Sequence, residues 1–316
     1  MGILTTARRK RLLTIAAIGL ALIFGAVAYI QFWIARPIGS GPAGPAVPRE
    51  LFETTWSQRP VLLLGIGDSI TAGLGADRPD RSYFERLLQN PPDEFEELQD
   101  CCLTAVLPNI TAKNIAVSGS NSLEHLRAIE AFPEQPEEIF GLVVLTTGGN
   151  DLIHSYGRLP PREGAMYGAT LAQAEPWIAN FDVRLNTMLD LINARFPGGC
   201  QIYLADIYDP TDGVGDAPSV YLPHWRDGLA IHDRYNRLLS RKAEERANVT
   251  LVPLYQIFLG HGSHCRQFWR RTYRREDPYY WFYSNIEDPN DRGYDAIRRG
   301  FLNAILDTRR RGAMDL

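Results

Sequence analysis

Cysteine is scarce in this chain: Cys101, Cys102, Cys200 and Cys265 are the four among 316 residues. So few thiols over this length do not make a disulfide scaffold, and no two of them have the spacing of a zinc site. Adjacent cysteines rarely bond each other, which leaves open one bridge from Cys101 or Cys102 to Cys200 or Cys265, and equally a set of packed thiols. An excess of one charge is also lacking. The net charge of −4, from 33 basic and 37 acidic residues, gives no reason to expect nucleic acid as a partner. Imidazoles are few as well, at six. No internal repeat is visible, which sets aside solenoids and arrays.

What is present begins with an asymmetry at the N-terminus. Arg8, Arg9, Lys10 and Arg11 form a basic block, and the run from Leu12 to Ile34 that follows carries no charge. That run is long enough to cross a bilayer as a helix, and its basic flank places residues 1–11 in the cytoplasm. The remainder is then extracytoplasmic. Ala26-Val27-Ala28 offers small residues for signal cleavage, which would release a secreted protein. The apolar run continues past that site to Ile34 and favours an uncleaved anchor over residues 12–34. Residues 35–49, with Pro37, Gly39, Gly41, Pro42, Gly44, Pro45 and Pro48, exclude a helix or central strand and read as a linker. Residues 50–316 read as one domain, whose 45% hydrophobic content supports a core.

Within that domain apolar runs alternate with amphipathic ones. Strands are expected from Val61, over 114–117, 142–145, 202–207 and 249–254. Helices are expected over 82–88, 122–129, 177–196, 232–247 and 292–311. The alternation predicts a three-layer α/β/α doubly wound parallel sheet of flavodoxin-like order. The chain is organised around Val61-Leu62-Leu63-Leu64-Gly65-Ile66-Gly67-Asp68-Ser69. An apolar run of this kind is a strand buried on both faces. Its end is where open α/β sheets hold ligands, although Asp68 or Ser69 also suits a plain helix N-cap.

Two further strand ends carry related residues: Ser118-Gly119-Ser120-Asn121 and Thr146-Thr147-Gly148-Gly149-Asn150-Asp151. Ester hydrolysis needs a nucleophile and donors aimed at the developing oxyanion. Ser69, the N–H of Gly119 and the amide of Asn150 would supply both. With these blocks in this order over residues 60–310, the sequence resembles the SGNH (GDSL) hydrolases. Gly67-Asp68-Ser69-Ile70 matches the first block, Gly119 the second and Gly148-Gly149-Asn150-Asp151 the third. The resemblance implies the SGNH hydrolase fold and a serine esterase acting on acyl esters, often of carbohydrates or lipids, with no cofactor.

The fourth block departs from the family's Asp-x-x-His. Aligned on Pro289-Asn290, Asn285 stands at the Asp position and Asp288 at the His position. A serine hydroxyl needs a partner to take its proton. Three arrangements follow. His264 or His261, in the glycine-loosened stretch after the fifth strand, replaces the missing imidazole. Alternatively Asp288 itself acts on Ser69, or the domain is catalytically inactive and binds a glycan or protein partner. An acyltransferase is also compatible with the blocks.

The remaining features have plainer readings. Asp209, Asp212 and Asp216 are spaced in the manner of a calcium loop, but the closing Glu is missing and the stretch reads as a turn. His261, His264 and Asp288 are too weakly spaced to argue for a metal. Residues 266–283 interleave arginines and aromatics. They suit an aromatic flap over the site, a packed surface element or an anionic-lipid contact.

Overall fold

The computed structural model describes residues 6–285 and 287–312. The first five residues of the expected cytoplasmic segment, Ile286 of the fourth block and the last four residues of the expected domain lie outside the described residues. Five strands, β1 (Val61–Ile66), β2 (Ile110–Asn114), β3 (Phe140–Leu145), β4 (Cys200–Ala205) and β5 (Val249–Val252), form one sheet in the order β2-β1-β3-β4-β5. All four pairings are parallel. This is the doubly wound order the sequence predicts, and the point where the order reverses lies between β1 and β3.

Strand alternation sorts the core onto two faces. Leu63 of β1 and Val144 of β3 join one buried cluster with Tyr83 and Phe301, whereas Leu64 and Val143 join the other with Phe181, Met188 and Tyr235. The helices of the first layer are α3 (Tyr83–Leu88) and α10 (Asp291–Arg310); those of the second are α5 (Ser122–Ala131), α7 (Leu171–Arg195) and α8 (Gly228–Glu244). Shorter helices fill the connections: α2 (Ser69–Ala72), α4 (Leu103–Val106), α6 (Gly149–Ile153) and α9 (Leu254–Phe258). A buried ion network fastens α3 to α10. Arg86 pairs with Glu94 at 2.7 Å and Asp295 at 2.9 Å, Arg298 pairs with Glu94, and Arg299 reaches Asp295 at 3.0 Å. All four cysteines are buried free thiols, so the possible disulfide does not form.

Several elements differ from the expected boundaries, β4 lying over Cys200–Ala205 in place of 202–207 and α8 over Gly228–Glu244 in place of 232–247. The second strand lies over Ile110–Asn114, not 114–117, because β2 is the edge strand and needs no apolar run. The apolar residues beyond it still bond β1's end, Ile115 N–H to Gly65 O and Val117 N–H to Gly67 O. α7 begins at Leu171 behind a Thr170–Gln173 capping box, and Pro176, outside the expected start at Trp177, lies inside its second turn. There a proline removes only one intrahelical bond.

The N-terminal helix α1 (Thr6–Tyr29) continues as a π-helical turn over Ile30–Ile34. Arg8–Ile34 is long and apolar enough to cross a membrane, and none of its core window is buried in the protein. Residues 35–49 contain no helix or strand, as expected, yet they are a strap rather than a free linker. Tyr280 N–H donates to Pro37 O, Arg292 donates to Ser40 O and Gly41 O, and the buried Ala43 N–H donates to Asp295 at 2.9 Å. A chain rich in proline and glycine leaves carbonyls and donors unpaired, and here Tyr280 and α10 satisfy them.

Candidate active site

Gly67 sets the geometry at the end of β1. Its φ is +149°, and a Cβ there would lie 2.1 Å from the Thr146 hydroxyl, so only glycine lets the ends of β1 and β3 come this close. Asp68 then acts as N-cap of α2, accepting from Ile70 N–H at 3.2 Å, and also accepts from Thr146 Oγ1 at 3.0 Å. The capping role thus falls to Asp68. Ser69, the first residue of α2, has a backbone N–H with no partner inside the helix and a side chain on the wall of a cavity.

That cavity, of about 150 Å³, sits outside the carboxyl ends of β1, β3 and β4. Asp68, Ser69, Asn150 and Asp288 lie on its wall beside a mainly apolar remainder that includes Leu152, Ile207, Leu222 and Trp225. Asn150, near the start of α6, donates one amide hydrogen to Ser120 O at 2.8 Å. An amide carries two donors, so the second is left for the cavity. Gly119 holds a left-handed φ of +81° on an exposed turn and is outside the cavity wall; its neighbour Ser120 bonds Gly67 O at 3.1 Å.

Asp288 is the candidate base that the fold brings to Ser69. Burial raises its carboxyl above the usual carboxylate range, and the nearby Ser69 hydroxyl and the Asn285 amide partly oppose that rise. Asn285 donates its amide to Asp288 Oδ2 and accepts the Asp288 N–H at 3.3 Å. Oδ1 has no hydrogen-bond partner among the described residues. Burial also pushes Asp68 up to about 6 against the bonds from Thr146 and Ile70, with the Asp288 charge adding to the rise.

The two histidines expected as replacement bases stand elsewhere. His261 is buried and stacks on Trp281 with ring centroids 3.4 Å apart; burial lowers its pKa to about 3. His264 is buried with Nε2 on Asp216 at 2.8 Å, and Nδ1 has no partner. Neither lines the cavity, and with Asp288 they do not gather into a metal site. No residue of 266–283 lines it either, so the aromatic flap is not formed: Tyr280, Trp281 and Phe282 are core residues instead. The acidic stretch 209–216 is a stitched turn, Asp212 accepting the N–H groups of Gly260, Gly262 and His264.

Several residues at the site carry no sequence signal beyond residue type. His125 joins Ser120 Oγ and Thr147 Oγ1, both at 2.9 Å, and burial lowers its pKa to about 4, so it ties the second and third blocks together as a neutral ring. Tyr156 and Tyr208 hold Glu287, the residue before Asp288, through its carboxylate and its carbonyl. His232 is the imidazole that does lie on the cavity wall, with Nε2 on Ile207 O at 2.8 Å.

The profile of the GDSL-like lipase/acylhydrolase family matches residues 66–296. Among curated proteins no sequence matches. Solved structures similar to the chain include the lipase Lip_vut3 from a goat rumen metagenome, 16% identical, covering 77% of this chain and 97% of that one with a TM-score of 0.45. The esterase EstA from Pseudoalteromonas sp. is 16% identical, covering 79% and 98% with a TM-score of 0.45. The acetylxylan esterase Axe2 from Geobacillus stearothermophilus is 19% identical, covering 79% and 96% with a TM-score of 0.47. With the family profile spanning the sheet from the end of β1 into α10, this chain belongs to the GDSL-like lipase/acylhydrolase (SGNH) family, a family of ester hydrolases.

Proposed function

We propose that the chain is a membrane-anchored, extracytoplasmic esterase in which Asp288 replaces the family's histidine as the base for Ser69. The observation that carries this reading is Asp288 on the same cavity wall as Ser69 and Asn150, with Asn285 holding its carboxylate. As Ser69 Oγ bonds the ester carbonyl carbon, its proton passes to Asp288 and the carbonyl oxygen becomes an oxyanion. The Asn150 amide and the Ser69 N–H stabilise that charge, and Gly119, off the cavity wall, takes no part. Collapse breaks the ester C–O bond, and the leaving alkoxide takes the proton from Asp288. Water then attacks the acyl-serine by the same route and frees the acid. Burial favours this use of a carboxylate, because a raised pKa makes a stronger base than a free Asp of about 4.

The apolar walls suit the acyl part of a lipid or carbohydrate ester. The test is hydrolysis of p-nitrophenyl esters of graded chain length by the full chain. Turnover that Ser69→Ala abolishes supports the reading. Folded wild-type protein with no turnover of any ester points instead to a silent domain that binds a glycan or a protein.

A further inference from the structure

The contact between the apolar helix and the domain has a composition of its own. At the end of the π-helical turn, Phe32 packs edge-on against Phe268 and Trp269, at centroid distances of 5.6 and 5.1 Å, and Trp33 lies 5.4 Å from Trp269. Gln267 donates to Phe32 O at 3.0 Å and pins the joint. These rings are not core: Phe268 is 62% exposed and Trp269 49%. Arg271 and Arg275 follow on the same segment, both exposed and without a carboxylate partner among the described residues. Aromatic rings beside exposed arginines at the end of an apolar helix are the composition of a membrane–water interface.

We propose that residues 266–275 lie in the headgroup layer of the bilayer that α1 crosses, with Phe268 and Trp269 inserted and Arg271 and Arg275 on anionic lipid phosphates. A bilayer is favoured over other occupants by continuity, since the segment is packed on the membrane end of the anchor itself. The same joint reaches the cavity. Arg36, two residues past the turn, donates to Ser219 O and sits 5.1 Å from the Tyr221 ring, while Val220 and Leu222 of that loop line the cavity beside Ser69. The docked segment therefore holds the cavity's 217–222 loop at the lipid surface, where an ester embedded in the bilayer can enter without crossing water.

The inference rests on residues 8–34 being a bilayer anchor, and its test reads position rather than catalysis. The full chain is reconstituted in nanodiscs of phosphatidylcholine with phosphatidylglycerol, each sample carrying one spin-labelled variant, Phe268→Cys, Val183→Cys or Ile23→Cys. The four native thiols are buried, and the unsubstituted chain checks that they take no label. Val183 is exposed on α7, and Ile23 reports the anchor. The expected result is loss of collisions with a water-soluble nickel complex, with oxygen collisions retained, at 268 and at 23 but not at 183. Arg271→Glu with Arg275→Glu should restore nickel access at 268. Nickel access at 268 equal to that at 183 overturns the proposal, as does shielding that the arginine reversals leave unchanged. Spin–spin broadening at 268 overturns it in favour of a second copy of the chain. If label 23 alone is water-accessible, the anchor reading fails, and the esterase reading stands untouched by any of these outcomes.

Discussion

The surroundings of Ser69 and those of His264 hold complementary halves of what a serine esterase is expected to need. Near His264 the residue types are complete. Its Nε2 meets Asp216 at 2.8 Å, and Ser219 bonds both Asp216, at 3.1 Å, and Ser263, at 2.8 Å. Yet His264 and Ser263 are buried, Nδ1 faces no partner, and neither residue reaches the cavity. Around Ser69 the imidazole on the cavity wall, His232, is tied to Ile207 O, but the serine, the amide and a carboxylate line the same cavity at the sheet's switch point. The difference teaches that a complete set of residue types can be a structural knot, whereas an incomplete one can keep the open approach that chemistry requires. Placement at the sheet edge, rather than the identity of the base, distinguishes the two.

The sharpest way to break this comparison is to exchange the two bases. Asp288→Asn should lower kcat/KM for ester hydrolysis by about 10²–10⁴, the usual share of general base catalysis, while His264→Gln leaves it within a few-fold. Steady-state kinetics with Ser69→Ala as the zero and circular dichroism as the check on folding decide it. Next in size, Asn150→Ala should cost roughly 10²–10³ in kcat with little change in KM, because the lost donor serves the oxyanion rather than the bound ester. A fall confined to KM would remove Asn150 from that role.

How far the sequence foretells these regions follows from what each residue depends on. Ser69 and Asn150 are legible because each follows a strand apolar enough to be recognised as buried, and glycines mark the turns beside them. The β2 boundary is not, since an edge strand of Thr111, Lys113 and Asn114 has no apolar signature, and the recognisable run Ile115–Val117 lies just beyond it. Which candidate base the fold brings to the cavity is not legible either. Chain distance places His261 and His264 after β5 as readily as Asp288, and only packing shows one histidine stacked on Trp281 and the other tied to Asp216. The strap of residues 35–49 escapes for a related reason: composition excludes helix and strand there but says nothing of what pairs its backbone.

A smaller effect separates the two regions through pH. Burial raises Asp68 from an ordinary 3.8 to about 6, so the stability it contributes is full below about pH 4 and is lost as the pH rises through 6. Asp68→Asn keeps the cap and removes that loss. It should be more stable than wild type by about 1–3 kcal/mol at pH 8 and equal to it near pH 4, measured by urea unfolding. Equal stability at both values would show that Asp68 is not held in a desolvated site. Smallest of all, His264→Ala should cost about 1 kcal/mol of stability, the worth of one hydrogen bond, and shift the melting temperature by roughly 2–4 °C without changing turnover.

The central claim, that Asp288 activates Ser69, is tested most directly by the rate at which a fluorophosphonate probe labels the full chain as pH is varied. The account predicts that wild-type labelling falls on acidification through one carboxyl ionisation, vanishes in Ser69→Ala and Asp288→Asn, and persists in His232→Gln, His261→Gln and His264→Gln. Asp288→Asn labelling at the wild-type rate, or a folded histidine variant that no longer labels, would contradict it and move the base to another residue.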